Sequence, residues 1–352
     1  MKSKRAAQYK DARVTLKAVA EHLGLTPGTV SAVLNNSAAS KAIPQHTRER
    51  VLQAARELNY RPNFMARSLR VQRTFTIGVI LEEIGDGYGS SIVSGIEEYI
   101  RKKNYFFLTV AHRHDEELLH SYSQMLLARG VEGFITVDTS LREAPPLPTV
   151  AVAGHRQLEN VTNIILDHRQ AALLALKHLK ELGHHEIAFL RGHPQSSDSE
   201  VRWNSICEVA RELGVGIHPE LVVQIQGLDS TPELGYPFGK ELLARKAPFT
   251  ALFAYNDISA IGAMRAFQEA GLRIPEDVSV VGFDDIASAI FCIPSLTSVR
   301  QPLKKMGNIA AETLLARIEN QAAVQAEIAV EPELVVRNST GRAAHGGLRI
   351  AK

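Results

Sequence analysis

The chain has 352 residues, of which 45% are hydrophobic and 22% are charged, and its formal net charge is +2 at pH 7. This length suits two or three compact units rather than one small domain, and the hydrophobic fraction is sufficient for packed cores. No stretch approaches 18 consecutive apolar residues, and the basic start contains no apolar signal-peptide core, so we expect neither a membrane-spanning nor a secreted protein.

The near-neutral total conceals two regions of opposite charge. Residues 1–73 contain 14 Lys and Arg against 4 Asp and Glu, a net charge of +10, whereas residues 74–352 contain 26 against 34, a net charge of −8. A basic region attracts a polyphosphate because each neutralised phosphate releases counterions, and an acidic remainder discourages non-specific wrapping. The charge pattern therefore indicates a nucleic-acid-binding region at the start of the chain, the alternative being a merely solvated basic arm.

Three short helices are predicted in this basic region. Thr15 can cap the first helix, and the second begins at Thr26 with Pro27 in its first turn, where the missing N–H costs nothing. A third apolar pattern runs from about residue 45 to residue 59. Two helices joined by a tight turn favour a helix-turn-helix unit whose second helix enters the major groove of DNA, while a protein-binding helical bundle is the alternative.

From Phe75 onward, short β-branched runs alternate with amphipathic helices. TIGVIL, FFLTVA and GFITV are typical strand runs before Asn163, and EIAFLRG, ALFAYND and VSVVGFDD continue the alternation after it. Such alternation predicts doubly wound parallel sheets, and the length fits two lobes. Ligands of these sheets bind beyond the carboxyl ends of the strands, so the residues that follow each run are the candidates for function.

Several motifs resemble the lactose-repressor (LacI/GalR-type) family of bacterial transcription regulators. LKAVAEHLG, TVSAVLN and LNYRPNFMARSL match its DNA-binding head, and LGHHEIAFLRG, AYNDISAIGAMRAFQEAG and SLTSVRQP match its periplasmic-binding-protein-like core, so the resemblance spans about residues 14–337. It implies an all-α helix-turn-helix head and an α/β two-lobed core. It further implies a cytoplasmic, nucleoid-associated homodimer that binds a palindromic double-stranded operator under the control of a small-molecule effector.

The resemblance also implies a domain order. We expect a basic arm at 1–13, the DNA-binding domain at 14–61, a hinge helix at 62–74, a core at 75–337 and a disordered tail at 338–352. Within the core, one lobe is expected to contain about 75–167 and 302–328, and the other about 168–301 and 329–337.

On the DNA-binding side, Leu69 matches the leucine with which the family wedges between base pairs. The short side chains of Pro27, Gly28 and Ala32 stand where the family often has longer polar ones, so they cannot make bidentate contacts to base edges. We therefore expect readout by threonines, thymine-methyl contacts and DNA shape. The expected DNA-contacting residues are Thr15, Thr26, Pro27, Gly28, Thr29, Ala32, Asn35, Asn63, Ala66 and Leu69.

In the core, the resemblance implies effector contacts at Arg202, Asn256, Asp284 and Gln301. A guanidinium, two amides and a carboxylate supply complementary donors and acceptors for a polar small molecule. Structural alternatives stay open, because Asn256 can cap a helix, Asp284 can stabilise a turn and Arg202 can pair with an acidic residue. The complete set of expected effector contacts is Glu82, Tyr88, His112, His155, Arg202, Asn256, Asp284 and Gln301.

Basic and imidazole side chains follow several strands, namely His112, Arg113, His114, His155, Arg156, Arg191 and His193. Where the family commonly has a carboxylate after the fourth strand, this chain has Ala153-Gly154-His155-Arg156. We therefore expect a cleft biased toward anions, which adds sugar acids and sugar phosphates to neutral sugars as effector classes. The opposing groups are Glu82, Glu83 and Asp138, which could neutralise these bases.

Neither a cofactor nor a metal site is expected, because the pairs His112/His114 and His184/His185 lack the spacing of zinc ligands, and we expect them to be exposed loop histidines. The glycine-rich segment 85–89 follows a strand and precedes a helix, as phosphate-binding loops do, but it lacks the GxGxxG spacing. No GxSxG, GxxxxGK[ST] or HExxH motif is present. A sugar- or nucleoside-acting enzyme with this core therefore lacks a catalytic constellation. An uptake binding protein, the other alternative, would need an export signal and no basic head.

Overall fold

The computed structural model describes residues 14–61, 68, 71–85, 87–226, 234–321 and 324–343, and the chain divides into one unit up to Thr74 and a second from Phe75. The first unit contains α1 (Leu16–Leu23), α2 (Pro27–Leu34) and α3 (Gln45–Glu57), with a short 3₁₀ helix at Ala38–Ala42. Val19, Val30 and Val51 are fully buried at the centre of these helices. The three predicted helices are confirmed.

The predicted caps explain where the first two helices begin. Thr15 Oγ1 accepts a hydrogen bond from the amide of Ala18 at 3.1 Å, and Thr26 Oγ1 accepts one from the amide of Thr29 at 3.2 Å. Each hydroxyl thereby satisfies one amide that has no partner within its helix. Gly24 then ends α1 in the left-handed conformation at φ 65°.

The second unit consists of two six-stranded sheets with helices between the strands. Its strands are β1 (Thr76–Leu81), β2 (Phe106–Ala111), β3 (Phe134–Val137), β4 (Thr149–Val152), β5 (Val161–Leu166), β6 (Ile187–Arg191), β7 (Val222–Gln224), β8 (Ala251–Phe253), β9 (Ser279–Asp284), β10 (Thr297–Arg300), β11 (Glu327–Val330) and β12 (Glu333–Val335). Its helices are α4 (Gly87–Lys102), α5 (Glu116–Ala128), α6 (His168–Glu181), α7 (Ser199–Leu213), α8 (Gly235–Ala244), α9 (Asp257–Glu269), α10 (Ala287–Phe291) and α11 (Leu303–Ile318).

The first lobe is built on the sheet β11-β5-β4-β3-β1-β2, and the second on β12-β10-β9-β8-β6-β7. All pairings are parallel except that of β12 with β10. The chain crosses between the sheets after β5, after β10 and between β11 and β12, so His168 and Gln301 lie at the first two crossings. This arrangement confirms the predicted doubly wound two-lobed α/β core.

A glycine contact fixes the crossing of α4 and α11 in the first lobe. A Cβ at Gly307 would overlap the carbonyl oxygen of Ile92, and one at Gly95 would overlap that of Lys304. The two helix backbones therefore approach more closely than any residue with a side chain would permit.

Three expectations need correction. Helix α4 begins at Gly87, so the end of the glycine-rich segment forms the first helical turn rather than a loop. The predicted disordered tail also starts too early, because Ser339 is fully buried and its hydroxyl donates to the carbonyl of Val280 at 2.6 Å. Farther along, the carbonyl of Gly341 lies 3.0 Å from Nε2 of His184, a histidine expected to be exposed that is only 1% exposed.

Candidate functional site

The carboxyl ends of strands from the two lobes meet at a cleft. Asp138, directly after β3, accepts hydrogen bonds from the amide of Ser197 at 2.7 Å and from the hydroxyl of Ser196 at 3.0 Å. Both serines lie in the loop between β6 and α7 of the second lobe, and the hydroxyl of Ser196 lies 2.6 Å from that of Tyr255. A carboxylate of one lobe is thus bound by the other, which holds the lobes together at this edge.

Asp198 is the centre of a buried cluster of charged and imidazole groups. Its Oδ1 accepts from Nε2 of His155 at 2.6 Å and from Nε2 of His168 at 3.2 Å, and its Oδ2 accepts from Arg202 at 2.9 Å. Burial opposes ionisation of Asp198, but His168, His155 and Arg202 hold the pKa of its carboxyl well below the usual range. Asp198 is therefore a carboxylate that links three other side chains.

Arg202 projects from the first turn of α7 into the cleft and is only 3% exposed. Its guanidinium carbon lies 3.8 Å from the ring centroid of Phe283 and 4.4 Å from that of Tyr255, and Nη1 donates to the carbonyl of Tyr255 at 2.6 Å. Rings and hydrogen bonds fix the planar group in one orientation. Its Nε is buried without a hydrogen-bond partner among the described residues.

Tyr88, Asp284 and Gln301 bring further polar atoms to this cleft. Nε2 of Gln301 donates to Asp284 at 2.7 Å, whereas Oε1 of Gln301 and the hydroxyl of Tyr88 are buried without a partner among the described residues. Burial raises the pKa of Tyr88 well above its usual value, and the neighbouring Asp198, Asp138 and Asp284 raise it further. Three residues expected at the effector site therefore lie together with Arg202.

The other expected effector residues have local roles in the structure. Glu82 pairs with Nε2 of His114 at 2.8 Å. His112 lies 3.1 Å from the hydroxyl of Thr139 through Nε2, and it accepts from the amide of His114 through Nδ1. Asn256 caps α9 in a reciprocal capping box, which is the helix-cap alternative for this residue, although its side-chain amide nitrogen is not used in that cap.

The basic strand ends do not supply the positive field on which the anion expectation depends. Burial lowers the pKa values of His114 and His193, and burial together with His114 lowers that of His112 to about 4, so these imidazoles are neutral at pH 7. Arg113 and Arg156 are exposed, and the guanidinium of Arg191 lies over the Trp203 ring at 5.6 Å. His155 faces the carboxylate of Asp198. The inner cleft is thus richer in carboxylates than in cations.

Several residues of the cleft were not expected from the sequence. They are Ser196, Ser197, Asp198, Tyr255, Phe283 and His168. One local signal was available for Asp198, because it precedes Arg202 by four residues at the start of a predicted helix, a spacing that pairs opposite charges. A cavity of about 450 Å³ adjoins the cleft on the side of the first lobe, and Gly154, His155 and Ser197 are in its lining.

In the first unit, most of the expected DNA-contacting residues lie along α2 and at its two caps, Thr26 and Asn35. Pro27 and Gly28 are exposed, Ala32 is half-buried, and Thr26 and Thr29 lie within hydrogen-bond distance through their hydroxyls at 2.9 Å. The side chain of Asn35 donates to the carbonyl of Ser31 at 2.8 Å, and that of Thr15 caps α1. The expected contacts at Asn63, Ala66 and Leu69 lie outside the described residues.

The comparisons with known proteins agree with this architecture. The family of bacterial regulatory proteins of the lacI type matches residues 15–63, and the periplasmic binding protein-like domain matches residues 176–340. An HTH-type transcriptional repressor PurR of Haemophilus influenzae is 33% identical over 335 residues, which cover 92% of this chain and 98% of that repressor. The chain belongs to the LacI family of bacterial regulatory proteins.

Other LacI-family members agree in sequence and fold. The ribose operon repressor of Haemophilus influenzae is 30% identical over 92% of this chain and 98% of its own length. The crystal structure of the Lac repressor dimer bound to operator and the anti-inducer ONPF has a TM-score of 0.82 at 28% identity, covering 94% of this chain and all of that one. A LacI-family regulator from Enterococcus faecium with bound ribose has a TM-score of 0.68 at 26% identity, covering 76% of this chain and all of that one.

The LacI-family protein is accordingly a DNA-binding transcriptional regulator whose helix-turn-helix unit precedes an effector-binding core. Among the residues that the structure describes, we find no helix with the length and apolar character needed to cross a membrane.

Proposed function

We propose that the effector of this regulator is a neutral polyhydroxylated molecule, such as a pentose or hexose sugar, bound in the cleft around Arg202. The observation that carries the proposal is the set of buried polar atoms without a described partner, namely the Tyr88 hydroxyl, Gln301 Oε1 and Arg202 Nε. Buried polar groups are rarely left unpaired, and each unpaired group costs about 1 to 3 kcal/mol. A ligand with several hydroxyls satisfies donors and acceptors together.

The charges of the cleft favour a neutral ligand over a sugar acid or a sugar phosphate. Three carboxylates, those of Asp138, Asp198 and Asp284, act on the buried Tyr88, whereas Arg202 is the one arginine that does so. Burial lowers the pKa of His168, because it opposes protonation of this ring. An added anion would lose hydration and meet carboxylates, both of which weaken binding. The ribose bound to one structural neighbour belongs to this neutral class.

We further propose that two copies bind a palindromic operator and that the protein acts by binding alone, in the cytoplasm on the nucleoid. A single α2 helix contacts only one half-site, so a dimer with two heads provides the needed affinity and explains a two-fold symmetric site. Effector and operator then influence each other through one conformational equilibrium, with a coupling of about 1 to 3 kcal/mol. The sign of this coupling depends on which state the effector binds more tightly.

The test is a calorimetric screen of the full chain against matched ligand classes. Ribose, other pentoses and hexoses are compared with gluconate, ribose 5-phosphate and free nucleobases, and each hit is repeated on Gln301→Ala and on Lys305→Ala, an exposed control on α11. We expect binding heat from neutral sugars only. Gln301→Ala should lose this heat, and Lys305→Ala should keep it. Exclusive binding of a phosphate, an acid or a nucleobase would refute the proposal. Gel shifts with a selected operator, with and without the hit, then give the sign of the coupling.

A further inference from the structure

His155, His168 and Asp198 come from three separate places in the core. His155 follows β4 in the first lobe, His168 is the first residue of α6 at a crossing between the sheets, and Asp198 directly precedes α7 in the second lobe. One ligand atom of each lies within 4.8 Å of the others. The neighbouring pairs considered in the sequence, His112/His114 and His184/His185, are not part of this group.

We propose that these three side chains form a binding site for a divalent transition metal ion of the zinc type. Two imidazole nitrogens and one carboxylate oxygen are a common ligand set for such ions, which keep further positions open for water or another ligand. Donor atoms around a tetrahedral zinc ion lie about 3.3 Å apart. The separation of 3.2 Å between Asp198 Oδ1 and Nε2 of His168 is close to this value, whereas that of 2.6 Å to Nε2 of His155 has to widen by a small rotation of the exposed-side imidazole. All three ligand atoms already lie within 4.8 Å of one another.

The surroundings of the three ligands suit a metal ion. All three are largely withdrawn from solvent, since the side chain of His155 is 17% exposed and those of His168 and Asp198 are 3% and 4% exposed. Asp198 would bind the ion through Oδ1 while its Oδ2 keeps the hydrogen bond from Arg202, an outer contact that fixes the carboxylate.

A histidine binds a metal ion through a ring nitrogen that carries no proton. In the metal-bound form the remaining ring proton of each histidine is on Nδ1, and the Nε2 lone pair is free for the ion. Nδ1 of His168 is buried without a partner among the described residues, so no outer hydrogen bond supports this ligand. Lack of such support typically costs about 10- to 100-fold in affinity, and we therefore expect micromolar rather than nanomolar binding.

The location gives the ion a regulatory consequence that rests on the proposed function. Because His155 belongs to the first lobe and Asp198 to the second, a bound ion would tie the lobes together beside the effector contacts of Arg202. An ion that binds one lobe arrangement better than another shifts the equilibrium between them and hence operator affinity. The metal would then act as a co-effector.

The experiment is a titration of untagged, chelator-treated full-length protein with Co²⁺, followed by its visible d–d absorption, and then with Zn²⁺. We expect one ion per chain, a band typical of four or five ligands, and loss of the band on adding Zn²⁺. His155→Gln and His168→Gln should each weaken Co²⁺ binding by at least about tenfold. His185→Gln, an exposed histidine outside the group, is the matched control and should bind as the parent does.

Circular dichroism verifies that each variant is folded, and His155→Gln, the more exposed site, is decisive if His168→Gln fails to fold. Absence of stoichiometric binding, or equal binding by His155→Gln and the parent, would overturn the site. Gel shifts without added metal test operator binding independently, so a failure of the proposed regulator and a failure of the metal site give different results. Metal binding without any change in operator affinity would overturn the co-effector role.

Discussion

The hydroxyl of Ser197 lies 2.6 Å from Oδ1 of Asp138 and 2.6 Å from the carbonyl oxygen of Ala153. Ser197 belongs to the second lobe, whereas both acceptors follow strands of the first, so one small side chain connects the lobes at their contact edge. A hydroxyl has a single proton and can donate to only one acceptor at a time. Asp138 also accepts hydrogen bonds from the amide of Ser197 and from the hydroxyl of Ser196.

Replacing Ser197 by Ala tests this connection. We expect the contact between the lobes to lose about 1 to 3 kcal/mol, because either the partly buried carboxylate of Asp138 or the carbonyl of Ala153 loses its hydroxyl donor. The measurement is the radius of gyration by small-angle X-ray scattering, which should increase in Ser197→Ala. Ser205→Ala is the matched control, since that hydroxyl only donates within its own helix to Val201. Equal radii for Ser197→Ala and the parent would contradict the interpretation.

Arg202→Met should destabilise the core strongly. The substitution keeps much of the apolar stem between Tyr255 and Phe283 but removes the cation beside Asp198, and breaking a buried ion pair typically costs about 3 to 5 kcal/mol. Urea denaturation of the core transition measures the loss. Arg211→Met on the exposed face of the same helix is the control and should change stability little. A cost of Arg202→Met as small as that of the control would mean that Asp198 is satisfied by its histidines alone.

Asp257 should make the core less stable as the pH rises. Burial raises its pKa to about 7, even though its carboxyl accepts from Ser298 at 2.6 Å and from the amide of Ile286 at 2.8 Å. A raised folded-state pKa means that stability is complete below the unfolded value of about 3.9 and is lost up to about pH 7, by at most about 4 kcal/mol. Relative to the parent, Asp257→Asn should gain stability across this window, measured by urea denaturation at several pH values.

Asp277→Asn is the control for this pH series. A side-chain hydrogen bond from Arg273 lowers the pKa of Asp277 to about 2, so the stability from this group is complete above the unfolded value of about 3.9. The difference between Asp277→Asn and the parent should therefore stay nearly constant up to about pH 7. If the stability difference between Asp257→Asn and the parent were also independent of pH, Asp257 would not titrate between about pH 3.9 and 7.

The contribution of His112 to stability should change with pH in the direction opposite to that of Asp257. Burial and the neighbouring His114 lower its pKa to about 4, so the folded state favours the neutral ring. Stability from this group is complete above the unfolded value of about 6.5 and is lost as the pH falls toward 4. The stability of the parent relative to His112→Gln should therefore decrease on acidification, in the same denaturation series. A difference independent of pH would exclude a titrating His112.

Local features of the fold were predictable from the sequence, and contacts between distant segments were not. Thr15 and Thr26 were recognisable as caps because their hydrogen bonds span only three residues, and Val19 and Val30 followed the helical period. Asp198 carried no such signal for His155, because these residues are 43 positions apart and meet only where the lobes contact.

The charge of the cleft could not be predicted from the sequence either. The strand-end histidines were identified correctly by position, but burial decides their protonation, and burial depends on the packing of both lobes. His114 and His193 illustrate this, since their rings come from different lobes and stack with centroids 4.7 Å apart. A count of basic residues therefore suggested an anion site that the lowered pKa values do not support.

The exposed start of α2 offers a position at which operator preference can be changed. At Gly28 a new Cβ would meet only Oγ1 of Thr26, at an ordinary 3.7 Å, so a longer side chain fits without moving the backbone. Gly28→Arg would add a fork of donors that suits the O6 and N7 atoms of guanine, a contact that discriminates by about 1 to 3 kcal/mol. We expect selection from random DNA to enrich guanine at one position of each half-site, with Gly28→Ala retaining the parent's preference. Identical selected sites for Gly28→Arg and the parent would mean that this face of α2 does not contact base edges.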